Sequence, residues 1–106
     1  MSLDVYLMVD DERVYDANIT HNLNSMAAEA GCYEAIWRPD EHGMEEAHQI
    51  VAKLVEGLVE LLSKPTYYKS FNPENGWGSY DGLVNFIVEY LKACNTYPSA
   101  KIVVSR

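Results

Sequence analysis

The chain reads as an α+β domain: a small β-sheet formed by its N- and C-terminal strands and covered by three main helices. Two observations carry this reading. Both ends have strand patterns, alternating in Leu3, Val5, Leu7 and Val9 and β-branched in Ile102, Val103 and Val104. Between them, apolar residues recur at helical spacing in three stretches. At 106 residues the chain fits one domain, 1–106.

Taken in order, Leu3 to Val9 place four apolar side chains on one face and Asp4, Tyr6 and Met8 on the other, the period of a half-buried strand. Asp10-Asp11-Glu12 is a polar turn, from which Arg13 to Asp16 return as a short hairpin partner. A first helix is expected from Ile19 to Ala30, where Ile19, Leu23, Met26, Ala27 and Ala30 share a face. Asn18 is its expected N-cap and Gly31 its stop. A helical turn over Tyr33 to Trp37 follows, and Pro39 disfavours helix at Arg38.

The longest helix is expected over Met44 to Leu62. Ala47, Ile50, Val51, Leu54, Val55, Leu58 and Leu61 or Leu62 make its apolar stripe, with Glu46, Lys53, Glu56 and Glu60 facing out. Gly57 inside it costs on the order of 1 kcal/mol against Ala, a sign of close packing. Pro65 lies beyond its end, and Tyr67, Tyr68 and Phe71 form an aromatic connection. The last helix starts after Ser79, its N-cap, and runs to Cys94 with Leu83, Val84, Ile87, Leu91 and Cys94 on the buried face. Pro98 turns the chain into a strand over Lys101 to Ser105. A two-stranded ribbon alone is marginal, so the terminal strands are expected to share one sheet.

Composition excludes several classes of function. A formal charge of −8 opposes nonspecific attraction to nucleic acid, which needs clustered Lys and Arg. The acids are scattered, many on solvent faces of helices, which fits solubility better than mimicry of DNA. No apolar run approaches the roughly 20 residues that would span a bilayer. Cys32 and Cys94 lie far apart without metal-ligand spacing and no signal peptide opens the chain, so reduced, buried thiols are expected. These points together predict a cytoplasmic protein without cofactor or direct nucleic-acid partner. Open strand edges would permit a homodimer.

Two polar clusters mark where a site would be. Asn18-Ile19-Thr20-His21-Asn22 lies at the expected start of the first helix. Asn72-Pro73-Glu74-Asn75-Gly76-Trp77-Gly78-Ser79-Tyr80-Asp81 cannot be regular structure. Trp77 and Tyr80 could offer ring faces to a flat ligand, and N–H groups at the start of the last helix could hold an anion. The competing expectation is that Trp77 plugs the core. His21 could act as a general base with Asn18 or Asn22 fixing its tautomer, although no nucleophile or carboxylate is spaced with it. Trp37-Arg38-Pro39 adds a ring and a bidentate donor, which can meet a phosphate or simply pair with Asp40 or Glu41. His42, Glu45, Glu46 and His48 lack the H-E-x-x-H pattern, and the helix dipole accounts for the acids, so no metal is expected.

The segments Asn18-Ile-Thr-His-Asn22-Leu23, Met26-Ala27-x-Glu29-Ala30-Gly31-x-Tyr33, Trp37-Arg38-Pro39 and Asn72-Pro-x-Asn75-Gly76-Trp77-Gly78-x-Tyr80-Asp81 resemble a family of small proteins encoded in phage and bacterial genomes. The resemblance extends over nearly the whole chain, to Val104-Ser105-Arg106. It implies a phage or mobile-element accessory protein in the host cytoplasm and supplies no activity. The leading expectation is a noncatalytic binder of a polar or anionic small ligand, or of a host protein. Its ligand-binding residues would come from Asn18, Thr20, His21, Asn22, Trp37, Arg38, Asn72, Asn75, Trp77 and Tyr80. The alternative is a small hydrolase or transferase with His21 as base.

Overall fold

The computed structural model describes residues 1–106. Three antiparallel strands form one sheet in the order β2-β1-β3, with β1 at Ser2–Val9, β2 at Glu12–Thr20 and β3 at Lys101–Ser105. Five helices follow β2: α1 (Asn24–Ala30), α2 (Tyr33–Trp37), α3 (Ala47–Ser63), α4 (Pro65–Lys69) and α5 (Tyr80–Thr96). The chain is therefore α+β, with both terminal segments in one sheet.

Alternation along the strands decides which face is covered. Leu3, Val5 and Leu7 of β1 are buried beside Ile19 of β2 and Ile102 of β3, and Ala17 and Val104 pack at their margin. These contact the helical layer, where Leu54, Leu61, Leu83, Ile87 and Tyr90 are buried. The opposite sheet face carries Asp4, Tyr6, Asp16 and Asn18, with the Arg13 guanidinium 3.9 Å over the Tyr6 ring.

β2 is longer than its expected Arg13–Asp16 and absorbs Asn18, Ile19 and Thr20, three residues expected at a helix start. Pairing with Ser2, Leu3 and Asp4 holds them extended. Asn18 is consequently not an N-cap: its side-chain N–H groups reach Asp4 Oδ1 at 2.7 Å and Ser2 Oγ at 3.0 Å. Thr20 takes over the capping, accepting from Asn22 N–H, and a 3-10 turn over His21–Leu23 leads into α1. Gly31, left-handed at φ 93°, ends that helix as expected.

The N–H of His21 donates to Met1 O, which sets the phase of the β1–β2 ladder. Ile19 and Ala17 therefore exchange backbone bonds with β1, while the backbone groups of Asp16, Asn18 and Thr20 point to the sheet's open edge. The other edge is covered in part. Ile102 N–H donates to Glu45 O at 2.8 Å and Glu46 bridges to Lys101. That pairing draws Glu45 and the extended Glu46 to the sheet edge, so the long helix begins at Ala47, not Met44, with a reciprocal capping box between Glu46 and Gln49.

α3 and α5 form an antiparallel pair. The Tyr80 hydroxyl donates to Leu61 O near one end, and His48 N–H donates to Pro98 O near the other. Gly57 faces Cys32 so closely that a Cβ there would lie 2.5 Å from its Sγ. Both thiols are free and buried, and burial pushes each up to about 12. The aromatic connection after Pro65 is itself helical, with Tyr68 buried and its hydroxyl donating to Glu60 at 2.7 Å. No helix is long and apolar enough to cross a membrane.

Candidate functional site

The strand register collects the polar motifs at one end of the sheet. Ser2 pairs with Thr20 and Asp4 with Ser105, so the start of β1 lies beside the ends of β2 and β3. Two neighbouring constructions occupy this end, one buried and one open.

The buried one centres on Trp37, with His21 half-buried beside it. Trp37, only 2% exposed, donates its indole N–H to His21 Nδ1 at 2.9 Å. An indole N–H can only donate, so in the neutral imidazole the proton sits on Nε2. Trp37, and not Asn18 or Asn22, is therefore the partner that fixes the tautomer. No serine, cysteine or carboxylate shares a hydrogen bond with this ring, and an activated nucleophile needs such a partner. The Tyr33 ring stacks on Trp37 at 5.6 Å, and its hydroxyl accepts from Arg38 Nε at 3.2 Å.

Arg38 pairs with Glu41 at 2.6 Å. Arg106 takes both oxygens of Asp40, at 2.8 and 3.1 Å, and also donates to Trp37 O at 3.0 Å. The Arg106 guanidinium holds the Asp40 carboxyl below its ordinary range. Two arginines matched by two acids leave little positive field for a phosphate. Their evident work is to tie the end of β3 to the turn after α2.

The open construction is a groove of about 560 Å³ lined by Met1, Ser2, Asn18, Thr20, Asn22, Asn75 and Trp77. Residues 72–79 reach it because Gly78, at φ 101°, lies flat against Thr20. A Cβ on Gly78 would stand 2.7 Å from Thr20 Cγ2. Asn22 Nδ2 donates to Trp77 O at 3.3 Å, and Trp77 N–H donates to Asn75 Oδ1 at 2.9 Å. The backbone of Trp77 is thus held on both sides. Its indole does not plug the core but stands 72% exposed.

The structure brings together Asn18, Thr20, Asn22, Asn75 and Trp77 from the two sequence clusters. Asn72 and Tyr80 instead finish the fold. Asn72 Oδ1 accepts from Tyr80 N–H at 2.8 Å, and the buried Tyr80 hydroxyl bonds to α3. Ser79 accepts from Gly82 N–H, and Asp81 lies in the same first turn. Two of the early α5 donors are therefore engaged beside a negative charge, which disfavours an anion there. His21 and Arg38, both half-buried, belong to the construction around the buried Trp37. Sequence reading missed Met1 and Ser2, whose place depends on β2 extending to Thr20.

Elsewhere, His48 meets Glu46 at 3.0 Å on the surface, and no group of three His, Cys, Asp or Glu side chains is arranged to hold a metal ion. No protein-family model, curated protein or solved structure matches the chain.

Proposed function

We propose that this protein is a noncatalytic accessory protein, of the kind phage and mobile elements encode, which binds a polar small ligand in the groove between Asn18, Asn22, Asn75 and Trp77 within the host cytoplasm. One observation carries the reading: a 72% exposed indole on a backbone tied down at two points, beside three asparagines. Leaving a large ring in water forgoes about 1.5–3 kcal/mol of burial. A fold that has the hydrogen bonds to position Trp77 uses them to present the ring. Pockets that orient small molecules combine such an apolar surface with a few convergent polar groups. His21 enters as the support of the Thr20–Asn22 turn, which favours binding over general-base catalysis.

Trp77 reports on its own occupancy, since Trp37 is buried and only Trp77 is open to a dissolved quencher. The low-molecular-weight fraction of a host-cell extract is expected to protect the fluorescence from acrylamide. Trp77→Ala should abolish retention of that fraction's active component in equilibrium dialysis. A Trp77 equally quenched with and without extract refutes small-ligand binding here. Protection by the macromolecular fraction alone would transfer the site to a host protein.

A further inference from the structure

We infer that the ligand is an uncharged polyhydroxylated molecule, a saccharide, stacked on Trp77 with its hydroxyls directed to the three asparagines. This rests on the groove being a ligand site at all, and its warrant is an inventory of hydrogen-bonding capacity left open after the protein's own bonds are drawn.

Asn18 commits its amide N–H groups to Ser2 Oγ and Asp4 Oδ1, leaving its carbonyl oxygen open to accept. Asn22 spends an N–H on Trp77 O and also keeps its carbonyl oxygen. Asn75 is the reverse: its oxygen accepts from Trp77 N–H, so its NH₂ remains to donate. Ser2 and Thr20 each accept one bond and retain a hydroxyl proton to give. The groove therefore offers two amide acceptors, amide donors from the Asn75 NH₂ and the second N–H of Asn22, and two hydroxyl donors beside an exposed indole face.

That mixture discriminates between ligand classes. No lysine or arginine side chain lines the groove, the amino group of Met1 is the single formal positive charge among its lining residues, and the whole chain carries a charge of −8, so a phosphate or carboxylate would meet mainly neutral hydroxyl and amide donors in a net repulsive field. An ammonium ligand could lie over the indole, but it only donates and leaves the Asn75 NH₂ and the hydroxyl protons without a partner. A saccharide matches both requirements. Each hydroxyl donates and accepts, and the C–H face of the ring is the apolar surface that an indole covers. The open form of the groove suits a sugar lying across it more than a molecule enclosed on all sides.

The experiment titrates the protein with glucose, galactose, mannose, N-acetylglucosamine and their short oligomers, and separately with adenosine monophosphate and spermidine. Acrylamide quenching of Trp77 is the readout, with calorimetry for variants. At least one saccharide should protect Trp77. Trp77→Ala should weaken its binding about tenfold or more, the factor that about 1.4 kcal/mol carries. Trp77→Phe, which keeps a flat ring, should recover part of the loss. Asn75→Asp, which exchanges the open NH₂ for an acceptor, should also weaken binding without altering the melting curve beyond the loop. Protection by adenosine monophosphate or spermidine with none from saccharides overturns the ligand class and leaves the groove a binding site. If no probe protects and the host extract also fails, the inference and the binding reading fall together.

Discussion

Gly57→Ala tests whether the helical layer is as tightly fitted as the structure implies. On an isolated helix the change would stabilise by about 1 kcal/mol, because alanine has the better propensity. Here the new methyl would meet Cys32 Sγ at 2.5 Å and Cys32 Cβ at 2.6 Å, where carbon contacts normally settle near 3.5–4.0 Å. Cys32 is fully buried between α1 and α2, so it cannot swing into solvent. α3 must then move off that connection by about an ångström, and overpacking of this kind costs about 1–3 kcal/mol. The net expectation is destabilisation by about 1 kcal/mol, despite a substitution that local preference favours. Urea unfolding of Gly57→Ala, Cys32→Gly and the double variant checks it. Cys32→Gly removes both clashing atoms, so the methyl should be less harmful, or favourable, in that background, giving a coupling of about 1–2 kcal/mol. A Gly57→Ala protein as stable as the parent, with additive effects in the double variant, refutes the close approach.

Two further outcomes follow from buried polar groups. The Tyr90 hydroxyl lies in the core with no hydrogen-bond partner in the protein, and burial followed by the neighbouring Cys94 and Tyr15 raises its pKa. Tyr90→Phe should therefore raise stability by about 1 kcal/mol in urea unfolding, since it removes a desolvated group without breaking a bond; a loss of that size would reveal a partner. Cys32 and Cys94 are held up to about 12 by burial against about 9 when exposed, so the unfolded chain releases their protons first. The stability they contribute is complete below pH 9 and is lost as pH rises from 9 towards 12. Chemical unfolding across that range should show this decline, shallower in Cys94→Ala, and an equal slope in the variant would contradict the burial of that thiol.

The terminal strands were legible because their alternation faces a core on one side only. The reach of β2 was not. Ile19, Leu23 and Met26 fit a helical stripe, yet Ile19 also continues the strand period through Ala17 and Tyr15. Local pattern cannot choose between them. Pairing with Ser2–Asp4 chooses, and it is nonlocal. The start of α3 was misread for the same reason, since Glu45 and Glu46 are drawn into pairing by Ile102 and Lys101. Gly57 was readable because a glycine inside a strong helix asks for a steric cause. Trp77 was ambiguous: hydrophobicity favours burial of an indole, and only the bonds from Asn22 and to Asn75 show why this one stays outside.

The mixed identity of the Asn18–Asn22 cluster has a geometrical explanation. Thr20 and Asn22 line the groove, while His21 between them meets the buried Trp37. One turn of chain thus joins the groove to the protein's interior, and its middle residue is the anchor. A histidine suits that position because it can accept the single hydrogen bond that a buried indole must place. In a histidine oriented by a carboxylate, Nδ1 donates to the acid and Nε2 abstracts the proton; here Nδ1 accepts from Trp37, so Nε2 carries the hydrogen and the neutral ring has no free lone pair for proton abstraction. Using Nδ1 to satisfy Trp37 makes the cluster rigid and leaves its outward side chains, not its histidine, to meet whatever enters the groove.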